Sequence, residues 1–239
     1  MKLSVIMPVY NEAGTIEDVL RRVQRVKLPG VSREIIVVEN GSTDGTREIL
    51  GRHANDKDTR VFFPKGPKGK GFKVRYGLTR ATGDIILIQD ADLEYDVKEY
   101  PELLAPILRG KADFVLGSRH MAAKSWKVRK LANAKHGHLL NLGDALLKRY
   151  FWLLTGAYLT DPNTMFKVFR RSCLRGVTLR SDDFDLDMEL LVKLLRKGYA
   201  PIEVPVSYKG RGYEEGKKIR PLKDGMRAGW AILRYQFRD

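Results

Sequence analysis

Asp90, Ala91 and Asp92 close a short apolar run in "DIILIQDADLE", residues 84–94. Alternate side chains of an extended segment face alike, so Asp90 and Asp92 share a side, and Glu94 continues it where the chain stays extended. Clustered carboxylates of this kind bind Mg²⁺ or Mn²⁺, which prefer oxygen ligands and often share them with a diphosphate. A lone DxD is more often a solvated acidic loop. Its place straight after a buried strand is what favours a metal site. A second run has the same form: "IIVVENGSTDGT", residues 35–46, passes from β-prone residues into Glu39 and Asn40 and then into a turn. Two strands that end in polar side chains point to a site along one edge of a sheet.

Basic groups supply the complement. "PKGPKGKGFKVRYG", residues 64–77, is glycine-rich and precedes a helical pattern. Its backbone amides and lysines, Lys70 among them, can face phosphate, although the segment has neither Walker spacing nor GxGxxG. Arg119 follows another strand end in "GSRH", Arg129 lies in the basic stretch beyond it, and "YKGRGYEEGKKIR" (208–220) adds Arg211, Lys217 and Lys218. Guanidinium and ammonium groups clamp phosphates; a mobile charged loop is the plain alternative. Two further acids are candidates for a base. Asp161 precedes a proline turn in "TDPNTMFKVFRR", and Glu189 sits on an amphipathic helix with Asp185 and Asp187 close by, one of that set being able to reach the site.

These groups need elements to hold them. Residues 3–9, 35–39, 60–63 and 84–89 read as strands, "ADFVLGSR" as another ending at Gly117, and "APIEVPVSY" as an edge strand with two prolines. Helical spacing recurs at Ile16, Val19, Leu20, Val23 and Val26, and further helices are expected at 46–50, 71–80, 97–109, 138–159, before Gly198 and over 222–237. Alternating strand and helix imply an α/β fold with a mostly parallel sheet and right-handed crossovers, whose ligands bind beyond the strands' carboxyl ends. "PVYNE", "EN" and "DAD" then share one edge. No linker separates domains, so 1–239 reads as a single domain.

With 44 Lys+Arg against 29 Asp+Glu, the net charge of +15 favours anionic partners. One cysteine, Cys173, excludes an intrachain disulfide and a cysteine zinc cluster, and it fits a reducing compartment. The opening "MKLSVIMPVYNE" is too short an apolar run for a signal peptide. Segment 138–159 carries Leu139, Leu142, Leu146, Tyr150, Leu153 and Ala157 on one face, but Asp144, Lys148 and Arg149 interrupt it before the ~18 apolar residues of a span.

"VIMPVYNE", "VVENGSTDGT", "GKGFKVRYGL", "ATGDIILIQDADLE", "GSR", "DPNTMFKVFRR", "DMELLVKLLRKGY", "EVPVSY" and "EEGKKI" occur in the order found in family 2 glycosyltransferases. The chain resembles most the branch of dolichyl-phosphate mannose and polyprenyl-phosphate glucose synthases. The resemblance implies a GT-A fold with a nucleotide-sugar-binding half (1–118) and an acceptor-binding half (119–239), a nucleotide-sugar donor and inverting transfer. It implies that Pro8, Tyr10 and Glu12 hold the base. Glu39 and Asn40 stand where two aspartates are usual, which leaves guanine or uracil open. Asp90, Asp92 and Glu94 match the metal motif, Glu94 replacing a frequent glutamine. Arg119 matches the GSR arginine, Arg129 follows Trp126 in the "W…R" pattern, and Arg211 with Lys217 or Lys218 matches a late R…GK element that here lacks its serine. A polyprenyl phosphate acceptor, ionised near neutral pH, needs no strong base; a sugar hydroxyl would need a carboxylate such as Asp161 or Glu189.

A basic rim beside the apolar 138–159 segment suits an anionic membrane surface, with a core helix or a homodimer contact as alternatives. Attachment is expected to be peripheral, on the cytoplasmic membrane face, directly or through a membrane-anchoring partner. A nucleotidyltransferase would open with a glycine-rich triphosphate loop, and "PVYNEAGT" is not one. A nucleic-acid-binding role would explain the charge and leave the DAD end unexplained, so no nucleic acid is expected as partner.

Overall fold

The structure is a computed structural model that describes residues 1–123, 134–211 and 221–238. Strands β1 (Lys2–Val9), β2 (Ser32–Glu39), β3 (Thr59–Phe62), β4 (Ile85–Ile88), β5 (Phe114–Ser118), β6 (Lys167–Arg170) and β7 (Ile202–Pro205) form one seven-stranded sheet in the order β3-β2-β1-β4-β6-β5-β7. Pairing is parallel except on either side of β6, which runs antiparallel to β4 and β5. From Leu3 to Val9 every residue of β1 is buried, as befits a central strand covered on both faces.

The helices are α1 (Ile16–Arg25), α2 (Thr46–Arg52), α3 (Lys70–Arg80), α4 (Tyr100–Leu108), α5 (Arg119–Ala123), α6 (Ala134–Thr155), α7 (Leu186–Arg196) and α8 (Pro221–Phe237). Helix α1 buries Ile16, Val19, Leu20 and Val23 of the stripe its spacing predicts, and Val26 lies just past its end. The expected 97–109 helix divides into a 3-10 turn at Val97–Glu99 and α4.

Strand β6 is absent from the expectations, because Lys167 and Arg170 break its apolar run. Its direction matters for the site. An antiparallel strand begins where its parallel neighbours end, so residues 161–166 arrive at the carboxyl edge of β1, β2, β4 and β5. The glycines before α3 have a packing role. A Cβ on Gly69 would lie 1.9 Å from the Asp182 carbonyl oxygen, so glycine permits the 181–183 loop to close on α3. Phe72 N–H donates to that same carbonyl at 3.1 Å.

Candidate active site

The loops after β1 and β2 are laced together. Asn11 takes a left-handed φ of 49°, which turns the chain sharply after Tyr10. Its N–H donates to Ser42 Oγ at 3.0 Å, and its Oδ1 accepts from Thr43 N–H at 2.8 Å. Glu12 N–H donates to Thr46 Oγ1 at 2.9 Å. Pro8 is buried within β1, and the Lys73 ammonium lies 5.3 Å from the centroid of the Tyr10 ring. Glu39 is fully buried and accepts from Ser42 N–H at 2.7 Å and Arg47 Nε at 3.0 Å. Asn40 donates its amide to the Gly66 and Pro67 carbonyls, each at 3.0 Å. Both side chains thus organise the loops around the edge that the sequence assigned to the nucleoside.

Beside this edge the carboxylates converge on one guanidinium. Arg211 donates from Nη1 to Glu12 Oε2 at 2.9 Å, and from Nη2 to Glu12 Oε1 at 3.1 Å and Asp92 Oδ2 at 2.8 Å. Its backbone N–H donates to Glu94 Oε1 at 2.7 Å, and Tyr208 Oη donates to Glu94 Oε2 at 2.8 Å. Burial, then repulsion from Asp90 and Glu94, pushes the Asp92 carboxyl up to about 7 against the pull of Arg211. Burial raises Asp90 too, with Lys70 opposing and Asp187 and Glu94 adding. This surplus of crowded oxygen donors fits a hard divalent cation, and Asp90 and Asp92 are the residues that would hold it. Glu94 lies in the same cluster, and Asp92 Oδ1 accepts from its backbone N–H at 3.1 Å.

A second cluster adjoins Asp90. Lys70, at the start of α3, lies 3.5 Å from Asp90 Oδ1 and 3.0 Å from Asp187 Oδ2. Buried Lys167 opens β6, and its Nζ lies 3.6 Å from Asp187 Oδ1. Among the described residues Asp187 Oδ1 accepts no hydrogen bond, although it is buried. Burial disfavours the Asp187 charge, but Lys167 and Lys70 outweigh that and hold its carboxyl below the usual range. Of the three acids grouped around α7 in the sequence, Asp187 is the one brought to Asp90. Glu189 is turned elsewhere: it accepts from Arg180 N–H at 2.9 Å and Ser181 N–H at 2.7 Å and pairs with Lys193 at 2.9 Å. It ties down the loop that packs on Gly69.

Arg119, just past β5, is buried against Asp161. Nη2 meets Oδ1 at 2.6 Å, Nε meets Oδ2 at 2.7 Å, and the Arg119 backbone N–H also reaches Oδ2 at 3.0 Å. Asp161 therefore has both oxygens occupied, which leaves it no lone role as a base. The Arg119 guanidinium lies 5.1 Å from the Tyr208 ring centroid, which joins this pair to Glu94 and Arg211. Next to it, His120 Nε2 and Asp144 Oδ2 are 2.9 Å apart. His120, Asp144 and Asp161 bring ligand atoms within 4.8 Å of one another, but Arg119 already neutralises Asp161 there. Arg129, Lys217 and Lys218 lie outside the described residues.

Residues 4–175 match the model of glycosyl transferase family 2. The chain belongs to that family. This family 2 chain is 30% identical over 237 residues to the dolichol-phosphate mannosyltransferase of Pyrococcus furiosus, covering 99% of this chain and 65% of the relative. It is 28% identical to glycosyltransferase AglJ of Haloferax volcanii, covering 92% of this chain and 67% of that one. The low-salt glycan biosynthesis hexosyltransferase Agl6 of Haloferax volcanii is 30% identical, with 98% of this chain and 52% of that protein covered. The chain thus spans only part of each relative. The glucosyl-3-phosphoglycerate synthase of Mycobacterium tuberculosis, solved with Mn²⁺, uridine diphosphate and phosphoglyceric acid, superposes with a TM-score of 0.71 at 19% identity, covering 100% of this chain and 79% of that one. The shared architecture is the GT-A fold expected from the sequence.

Proposed function

We propose that this chain carries out metal-dependent, inverting transfer of a hexose from a nucleotide-sugar of the GDP-mannose or UDP-glucose type to a polyprenyl phosphate. The observation that carries the reading is the state of the two acids expected as bases, Asp161 and Glu189. Both have their oxygens engaged, while Arg119, Arg211, Lys70 and Lys167 gather at the sheet edge. A phosphate acceptor needs cations around it and no strong base. The name of the Pyrococcus furiosus relative, a dolichol-phosphate mannosyltransferase, supports the same acceptor class.

In this reading the loops carrying Tyr10, Glu12, Glu39 and Asn40 seat the nucleoside. Asp90 and Asp92 hold Mg²⁺ or Mn²⁺, which when bound neutralises the departing diphosphate. Lys70 adds positive charge on the leaving-group side. Arg119, held bidentate by Asp161, adds a fixed guanidinium at the same edge. The acceptor oxygen attacks the anomeric carbon from the opposite face. A screen with Mn²⁺ or Mg²⁺ across GDP-mannose, UDP-glucose and related donors, with and without a short polyprenyl phosphate, tests this. Transfer to the lipid phosphate is the expected result; transfer only to a soluble saccharide overturns it.

A lipid substrate calls for a membrane surface, and the exposed residues of two helices support peripheral attachment, with the cytoplasmic face as the side assigned in this reading. Among the described residues no helix is long and apolar enough to cross a membrane. Helices α6 and α8 pack together. On α6, Leu142, Leu146 and Leu153 are exposed, and on α8 so are Met226, Trp230, Leu233 and Phe237, a stripe at helical spacing. Exposed Arg149, Lys223, Arg234 and Arg238 accompany these residues. Acidic lipid headgroups complement those cations, whereas a second copy would set them against their own kind. The apolar face expected on 138–159 is thus divided: Leu142, Leu146 and Leu153 are exposed, whereas Tyr150 and Ala157 pack partly against the core.

A second reading, transfer to a sugar hydroxyl, is favoured by one observation. Asp187 is anionic, sits beside Lys70 and Asp90, and keeps Oδ1 without a hydrogen bond among the described residues. In that reading Asp187, and neither Asp161 nor Glu189, accepts the proton.

A further inference from the structure

We infer that Arg211 is the resident counter-cation of the carboxylate cluster and competes with divalent metal for Asp92, so that metal binds together with a nucleoside diphosphate and poorly ahead of it. The inference rests on the metal-dependent reading above and adds an order of binding to it.

One guanidinium spans three carboxylates, Glu12, Asp92 and Glu94, with its side chain only 16% exposed. Its Nη2 sits 2.8 Å from Asp92 Oδ2. A divalent ion on Asp92 would approach that carboxylate to about 2.0–2.2 Å. Two cations then crowd one small carboxylate in a site with little water to screen them. Neither is easily accommodated while the other stays. Removing Arg211 without replacement is also unfavourable, since Glu12, Asp92 and Glu94 would lose the cation they share, while Lys70 pairs with Asp90.

A diphosphate changes this balance. It brings negative charge of its own, gives the metal further oxygen ligands, and offers the displaced guanidinium a planar, bidentate partner. Metal and nucleotide therefore raise each other's affinity, and the release of Arg211 from Asp92 adds to that coupling. In the absence of nucleotide the same arginine keeps the cluster neutralised and guards it against adventitious cations.

The test measures Mn²⁺ binding to the full chain by electron paramagnetic resonance, with no turnover involved. Wild type and Arg211→Gln are titrated alone and with UDP or GDP. Without nucleotide, the variant should bind Mn²⁺ roughly ten-fold tighter than wild type. The enhancement by nucleotide should shrink in the variant by at least that factor. Arg211→Lys, which keeps the charge but reaches fewer carboxylates, should fall between them, and it decides the question if the glutamine variant does not fold. Equal or weaker Mn²⁺ binding by the variants in the absence of nucleotide overturns the inference. Failure of every protein to bind Mn²⁺ under any condition overturns the metal-dependent reading itself and the inference with it.

Discussion

Arg119 and Asp161 form a buried bidentate ion pair, closed by Nη2–Oδ1 at 2.6 Å and Nε–Oδ2 at 2.7 Å and reinforced by the Arg119 backbone N–H. The pair fixes the plane of a guanidinium at the carboxyl edge of the sheet. Breaking it leaves a buried charge without its partner, a loss of about 3–5 kcal/mol. Asp161→Asn should therefore lower stability to urea and donor-dependent activity together. A variant that loses activity at full stability would instead identify Asp161 as a base.

Asp92 gives the ligand-free protein a signature in pH. Its folded pKa is raised from 3.8 to about 7, so the folded state holds the proton more tightly than the unfolded chain. The stability this confers is fully present below the unfolded value and is lost as pH rises toward about 7. Urea unfolding of metal-free wild type should show it weakening between pH 5 and pH 8, by about 1–4 kcal/mol, relative to Asp92→Asn. Parallel pH profiles for the two proteins would refute the shift. The same variant should keep its fold and lose most metal-dependent transfer.

Asp187 separates the two acceptor readings. With a polyprenyl phosphate, Asp187→Asn should retain transfer to within about ten-fold, because no proton has to be removed. With a sugar hydroxyl, the loss should reach about 10²–10⁴-fold, the usual contribution of a general base. Steady-state rates with each acceptor decide between them.

Gly69 packs where no side chain fits. Gly69→Ala forces a methyl group toward the Asp182 carbonyl, and the 181–183 loop must move away from α3. A stability loss of about 1–3 kcal/mol is expected, with weaker donor binding because Lys70 follows directly. Calorimetry on the variant measures both; unchanged values would show that the loop yields freely.

The exposed stripes on α6 and α8 predict binding to acidic vesicles. Sedimentation with phosphatidylserine-containing liposomes should bring down the wild type, less so in high salt. Leu153→Glu with Trp230→Glu should release it. Equal sedimentation of the double variant would remove these faces from the contact.

Much of this site could be read along the chain because strand ends are local features. A buried run that stops in Glu39–Asn40 or in Asp90–Asp92 marks the carboxyl edge of a parallel sheet, and the helical spacing of Ile16, Val19, Leu20 and Val23 marks the helix that covers it. The α7 acids were likewise visible, but not which of them would face Asp90; that depends on the helix's rotation against α3 and β6. Strand β6 escaped notice because its charged Lys167 is buried through partners outside the strand, the Thr164 carbonyl and Asp187, the latter twenty residues away in sequence. The partners of Asp161 and Arg211 were decided by folding alone. Asp161 lies 42 positions from Arg119, and Arg211 lies 119 positions from Asp92. A carboxylate reads the same in a sequence whether it is free to take a proton or already clasped by an arginine; only the packed chain, by removing water and bringing a partner within hydrogen-bond reach, makes the choice.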